Sequence, residues 1–232
     1  MQAVILAAGR GERLRPLTDE VPKSMLEVAG KPILEYTLSI LPKEIDEVVL
    51  VIGYKGEKIR NYFGKKFSRL KLSYIEQPEP KGTGQALLCA KPSLKNDYFL
   101  LLYGDDLYHP ADLKNCLQSV PTVLVKETDH PERFGVCLVD KDNHLLDILE
   151  KQENPPSCLV NIGVYFLNQE IFAVPPMYLP NGEMILAGQI GFWAKQRVIQ
   201  VIKARFWHPI AYPKDLEGAE YFLRLAVDKR IN

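Results

Sequence analysis

The chain has 232 residues, and its 29 Lys and Arg balance 29 Asp and Glu, so the formal net charge is zero. One large domain of that length can bury roughly 70% of its unfolded surface, and the charge balance argues against a general nucleic-acid or membrane-surface binder, which carries a basic excess. No apolar run approaches the roughly 18 residues of a membrane span. The apolar N-terminal stretch leads straight into glycines rather than a signal-peptide cleavage site. The four cysteines, Cys89, Cys116, Cys137 and Cys158, form no Cys-x-x-Cys pair, so a cytoplasmic protein with reduced thiols and no zinc site is expected.

Residues 3–8 form a short apolar run that reads as a buried parallel strand. The run breaks into Gly9-Arg10-Gly11, with Arg13, Arg15 and Lys23 close behind. A strand ending in a glycine loop with several cations suits a polyanion, most simply the phosphates of a nucleotide. The loop is not a dinucleotide fingerprint, since position 14 is Leu14, nor a Gly-Lys-Ser/Thr phosphate loop. Pro32 is placed at the first position of a helix, with Ile33, Tyr36, Thr37, Ile40 and Leu41 following at helical spacing. Residues 48–53 read as a strand, 57–63 as a short helix and 70–75 as another strand; Lys65, Lys66, Arg69 and Lys71 read as a solvated cluster. Gly82-Thr83-Gly84 opens a helix running through Ala90, with Thr83 as its cap. Residues 98–103 are a buried strand that stops at Gly104-Asp105-Asp106, where Asp106 suits the cap of a helix starting near Pro110.

Strands alternating with helices imply a mostly parallel sheet with helices on both faces, an α/β fold of Rossmann-like type. Ligands of such sheets sit at the carboxyl ends of the strands, so the 8–13 loop and Asp105 should share a rim. The second half reads differently. Residues 122–126, 135–139, 145–149 and 159–166 are short strands close together, a smaller antiparallel addition. Residues 168–172 read as a short helix, 183–195 as another weakened by Gly188 and Gly191, and 198–203 as a strand. Residues 214–227 are amphipathic, with Leu216, Ala219, Phe222, Leu223 and Ala226 on one face. No Pro-, Gly- or Ser-rich linker intervenes, so one domain is expected over 1–232, with a nucleotide-binding half (about 1–120) and a substrate-binding half (about 121–232).

The string from Gly9 to Thr18, followed by Pro22-Lys23 and Gly30-Lys31-Pro32-Ile33-Leu34, closely resembles the signature of the sugar-1-phosphate nucleotidylyltransferases, or NDP-sugar pyrophosphorylases. The resemblance extends over nearly the whole chain. It implies a reaction of NTP with a sugar-1-phosphate to give NDP-sugar and pyrophosphate. By this resemblance the backbone of Leu6, Ala7, Ala8, Gly9 and Gly11, with Gly104, binds nucleotide. Gln77, Gly82 and Thr83 match the family's pyrimidine contacts, and the Gly-Thr-Gly-Gln-Ala form looks most like the uridylyltransferase branch. UTP and dTTP both remain open. Tyr103-Gly104-Asp105 matches the family's metal-binding string, which makes Asp105 a magnesium ligand; a carboxylate at the end of a buried strand suits that role. Gly135, Glu150 and Asn161 match the sugar-binding positions. Arg13 would clamp the β- and γ-phosphates, Lys23 would bridge the α-phosphate and the attacking phosphate, and Lys151 would orient the attacker.

Three places depart from the pattern. Relatives carry a second metal ligand in a string like Trp-x-Asp-Ile-Gly; here Trp207-His208-Pro209-Ile210-Ala211 puts a proline there. Leu186-Ala187-Gly188 stands where relatives show Leu-Thr-Asp, and Gln152 where they have proline. Two readings follow: a working enzyme with a one-carboxylate magnesium site, and a nucleotide- or sugar-binding regulatory protein with weak turnover. A cytidylyltransferase for a non-sugar monoester would share the first loop but lack the Glu150, Lys151 and Asn161 set. No hexapeptide-repeat segment follows, so a second acyltransferase activity is not expected. Nucleic acid and membrane are not expected partners, and homo-oligomer formation is left open.

Overall fold

A computed structural model describes residues 1–150 and 152–228, the side chains of 224–228 excepted. Its centre is β1, Gln2–Ala7, buried at every position. β1 pairs in parallel with β2, Glu47–Ile52, on one side and β4, Tyr98–Tyr103, on the other. β3, Leu70–Glu76, pairs in parallel outside β2. The strand alternation assigns the faces. Ala3, Ile5 and Ala7 join one core cluster, while Val4, Leu6 and Ala8 join the other. Helices cover both sides. α1 (Ile33–Ser39), α2 (Gly56–Phe63) and α4 (Pro110–Cys116) bury Leu34, Ile59 and Leu113 on the first face. α3 (Thr83–Ala90) and α5 (Leu186–Ala194) bury Leu87 and Ile190 on the second.

The antiparallel strands of the second half do not form a small sheet of their own. β5 (Thr122–Glu127), β6 (Val136–Val139), β7 (Leu145–Leu149) and β8 (Leu159–Asn168) extend the same ten-stranded sheet. β8 runs antiparallel beside β4, with Val164 opposite Leu102. It is buried at nine of its ten positions, so it stays inside the sheet. β9, Gln200–Lys203, lies parallel beside β5. The fold is therefore the expected mixed α/β type with a mostly parallel first half.

Several expectations shift. Pro32 caps α1 from the end of a two-residue strand, so the helix begins at Ile33 and stops at Ser39. The helix over 168–172 is a single 3-10 turn, Gln169–Ala173. Residues 183–185 lie outside α5; Met184 bridges Tyr178 instead. Arg69 is exposed, as expected of that cluster, but it is tied down: it donates to the carbonyls of Ile45, Leu41 and Pro42, closing the 41–45 loop. α6, Pro213–Asp228, buries Ala219 beside Leu14, Ile33 and Ile210. Phe222 is 43% exposed and packs edge-on against Phe206. The Ala226 side chain lies outside the described residues.

Candidate active site

The carboxyl ends of β1 and β4 open into a cleft of about 750 Å³. β1 delivers the glycine loop to its wall, because the strand stops at Ala7 and the chain turns outward through Gly9 and Gly11. Gly11 has φ 66° and precedes a 3-10 turn, Glu12–Leu14. That turn sets Arg13 on the cleft wall, while Leu14 anchors the loop in the core. Leu6, Ala8, Gly9, Gly11, Arg13 and Lys23 all line the cleft. Ala7 and Gly104 do not: the Ala7 side chain belongs to the opposite face, and the Gly104 N–H donates to the Leu6 carbonyl at 2.9 Å.

Lys23 and Asp105 meet on the cleft floor. The Lys23 ammonium lies 2.7 Å from Asp105 and 3.8 Å from Asp106. Burial alone would lower the Lys23 pKa, but the two carboxylates outweigh it and hold the pKa above its ordinary value. Asp106 does not cap α4, as the sequence suggested; the His109 ring does, accepting from the Ala111 N–H at 3.2 Å. Asp106 instead accepts from Trp207 Nε1 and the Ile210 N–H, each at 3.0 Å. Burial raises the Asp106 carboxyl, and Lys23 pulls it partly back down. With both its oxygens engaged by the C-terminal segment, Asp106 is committed to holding that segment. Asp105 is the carboxylate left facing the cleft beside Lys23. It is about one third exposed, open enough to hold a hydrated cation through one oxygen. His208 is structural: its Nε2 meets the Asp215 carbonyl at 2.7 Å and its ring packs on Phe222.

Gln77, Gly82 and Thr83 come together on the cleft wall, with one change in the helix cap. Gly82, not Thr83, occupies the cap of α3, at φ 95°. A Cβ on Gly82 would sit 2.3 Å from the Met184 carbonyl oxygen, so only glycine fits. The Gly84 N–H donates to that same carbonyl, and the Thr83 hydroxyl accepts from the Leu186 N–H at 3.1 Å. Gln77 donates to the Gly82 carbonyl and to Gln85 Oε1, which spends both amide hydrogens and leaves the amide oxygen to present to a ligand.

Gly135, Glu150 and Asn161 lie close to one another, but none of them is among the residues lining the cleft. Asn161 N–H donates to the Gly135 carbonyl at 2.8 Å, and a Cβ on Gly135 would lie 2.7 Å from Glu150 Oε1. The Asn161 amide donates to the Tyr165 hydroxyl and accepts from the Gly163 N–H. Lys151 lies outside the described residues. The sequence reading gave no role of its own to Tyr103, which joins the two patches. Its ring lines the cleft, and its hydroxyl lies near Thr83, Tyr165 and Glu150. Burial pushes its hydroxyl up to about 12. The Tyr-Gly-Asp string was a signal for it, but it drew attention to the aspartate.

A half-polar cleft at the carboxyl ends of parallel strands, floored by a lysine–aspartate pair, lies where α/β proteins hold their ligands. The sequence model of the nucleotidyl transferase family matches residues 2–182, and the chain belongs to that family. It is 39% identical over 227 residues to the bifunctional protein GlmU of Methanocaldococcus jannaschii, covering 96% of this chain but 54% of that protein. The chain thus spans about half the length of the GlmU relatives it matches. It is 35% identical over 237 residues to the UTP–glucose-1-phosphate uridylyltransferase AglF of Haloferax volcanii, covering 97% of each. A solved structure of UDP-glucose pyrophosphorylase complexed with UDP-glucose shares the fold, with TM-score 0.85, 22% identity and coverage of 97% of this chain and 98% of that one.

Proposed function

We propose that the protein joins a sugar-1-phosphate to UTP or dTTP, giving an NDP-sugar and pyrophosphate. The observation that carries this is the convergence, in one cleft, of the glycine loop, Arg13, Lys23, Asp105 and the Gln77–Gly82–Thr83 patch. The relative AglF, similar along its whole length, is named for that reaction with glucose-1-phosphate. In this reading residues 1–232 act as one unit, with nucleotide on the first half and sugar on the second.

The chemistry needs no activated side-chain nucleophile. A phosphate monoester has its second pKa near 6, so it is largely dianionic at neutral pH. What limits the reaction is repulsion between that dianion and the α-phosphate. Arg13 neutralises the phosphates that leave, and Lys23 bridges the attacking oxygen and the α-phosphate. Backbone amides of the 8–11 loop hold the triphosphate. Gln77 and the Gly82–Thr83 turn receive the base, while Glu150 and Asn161 take sugar hydroxyls. Lys151 orients the attacking phosphate. Asp105 would hold a magnesium ion, which when bound draws charge from the phosphates.

One observation favours a second reading, a nucleotide- or sugar-binding regulator with little turnover: Pro209 supplies no second carboxylate. Pyrophosphate release across a panel of NTPs and sugar-1-phosphates with magnesium separates the two. Release with one pair supports the enzyme and names its substrates. Silence across the panel with UTP still bound supports the regulator. A cytoplasmic location follows from NTP as the substrate.

A further inference from the structure

Arg13 does not stand alone at the cleft mouth. Its guanidinium carbon lies 5.3 Å from the centroid of the Tyr212 ring, and that of Arg133 lies 5.0 Å from the same centroid. Three distant parts of the chain thus meet on one aromatic ring: the glycine loop, the turn before the sugar patch and the start of α6. The ring is itself held. Asp215 Oδ2 accepts the N–H groups of Ala211 and Tyr212 at 2.9 and 2.8 Å, and Arg133 Nη2 lies 3.7 Å from that oxygen. Arg133 also packs over Phe134, at 5.4 Å. Its Nε and Nη2 are buried without a hydrogen-bond partner, so charge pairing and ring stacking hold it in place.

An exposed arginine samples many rotamers, and ordering it on a ligand costs affinity. A guanidinium already stacked on a tyrosine has lost much of that freedom, and its edges stay available for phosphate oxygens. We propose that Tyr212, fixed by Asp215 and Arg133, is a positioning residue that holds Arg13 ready for the triphosphate. This rests on the nucleotidyltransferase reading of the cleft and extends it to two residues, Tyr212 and Arg133, that it does not otherwise use. It also ties the order of the α6 N-terminus to nucleotide affinity.

The test is a double-mutant cycle read by calorimetric UTP binding, which needs no turnover. Tyr212→Leu should weaken UTP binding about fivefold, the scale of one cation–π contact, and Tyr212→Phe should leave it unchanged. In an Arg13→Ala background, Tyr212→Leu should have no further effect. In steady state the KM for NTP should rise while the KM for sugar-1-phosphate stays put. Thermal unfolding midpoints of the Leu and Phe variants should agree, since Tyr212 is 36% exposed. Equal weakening by Tyr212→Leu with and without Arg13 overturns the proposal, as does unchanged binding. Wild-type protein that binds UTP but shows no coupling sinks this inference alone; wild-type protein that binds no nucleotide sinks the functional reading and the inference with it.

Discussion

The Lys23 ammonium sits between two carboxylates, 2.7 Å from Asp105 and 3.8 Å from Asp106. In the proposed reaction it must leave Asp105 for the phosphates, and that exchange is favourable only when two phosphates converge. Lys23→Ala should therefore lower turnover by about 100-fold or more, the scale for loss of one preorganised transition-state contact, while UTP binding changes by less than about tenfold. Equal losses in both would deny Lys23 its transition-state role. Asp106 is a different kind of residue. Asp106→Ala would strand the Ile210 N–H and Trp207 Nε1, which now donate to it at 3.0 Å. The expected cost is about 2–6 kcal/mol by denaturant unfolding, since each of the two orphaned donors costs about 1–3 kcal/mol. At this scale, local chemistry was readable and distant chemistry was not. Arg13 and Lys23 follow a strand-ending glycine loop that suits phosphates, while only the family resemblance gave Gln77, Gly82 and Thr83 an expected place at the base; all five line the cleft. The tasks of Asp106 and Tyr103 are set by Trp207, Ile210, Tyr165 and Glu150, residues that no local pattern connects to them.

Buried strands announce themselves because both faces of the sheet are covered. β1, β2 and β4 read as continuous apolar runs and proved to be neighbours. The two-residue pairs, such as Leu107–Tyr108 with Trp207–His208, have no such signal, because tertiary contacts alone define them. Helix starts were harder for the same reason. The cap of α3 is chosen by the Met184 carbonyl, which stands where a Cβ on Gly82 would go. Gly82→Ala therefore combines a positive φ with a close contact to backbone. It should cost about 1–3 kcal/mol, the range for one strained residue. It should also weaken UTP binding, because the displaced turn carries Thr83 and the partner of Gln77. A stability within about 0.5 kcal/mol of wild type would show that the 81–84 turn gives way freely.

At the level of the whole molecule, the cleft joins segments as far apart in the chain as Leu6 and Glu183, brought together at one end of the central sheet. Ligand binding should therefore stabilise the entire unit rather than a loop. UTP with magnesium at about 100 times Kd contributes about 2.7 kcal/mol, or roughly 5–10 °C in unfolding midpoint for a chain of this size. The components are expected to behave unequally. Asp105 is already paired with Lys23, and Asp106 is committed to the C-terminal segment. Magnesium alone must displace an ammonium from a site with one carboxylate, so it should shift the midpoint by less than about 1 °C at millimolar concentration. UTP supplies phosphate oxygens as further ligands for a cation at Asp105, so the two ligands together should shift the midpoint by more than the sum of the separate shifts. Asp105→Asn should abolish that excess and keep the shift from UTP alone. A large shift from magnesium alone in the wild type that Asp105→Asn removes would mean that Pro209 left the metal site intact; one that survives Asp105→Asn would place the ion elsewhere, as at the Asp140, Asp142 and His144 cluster.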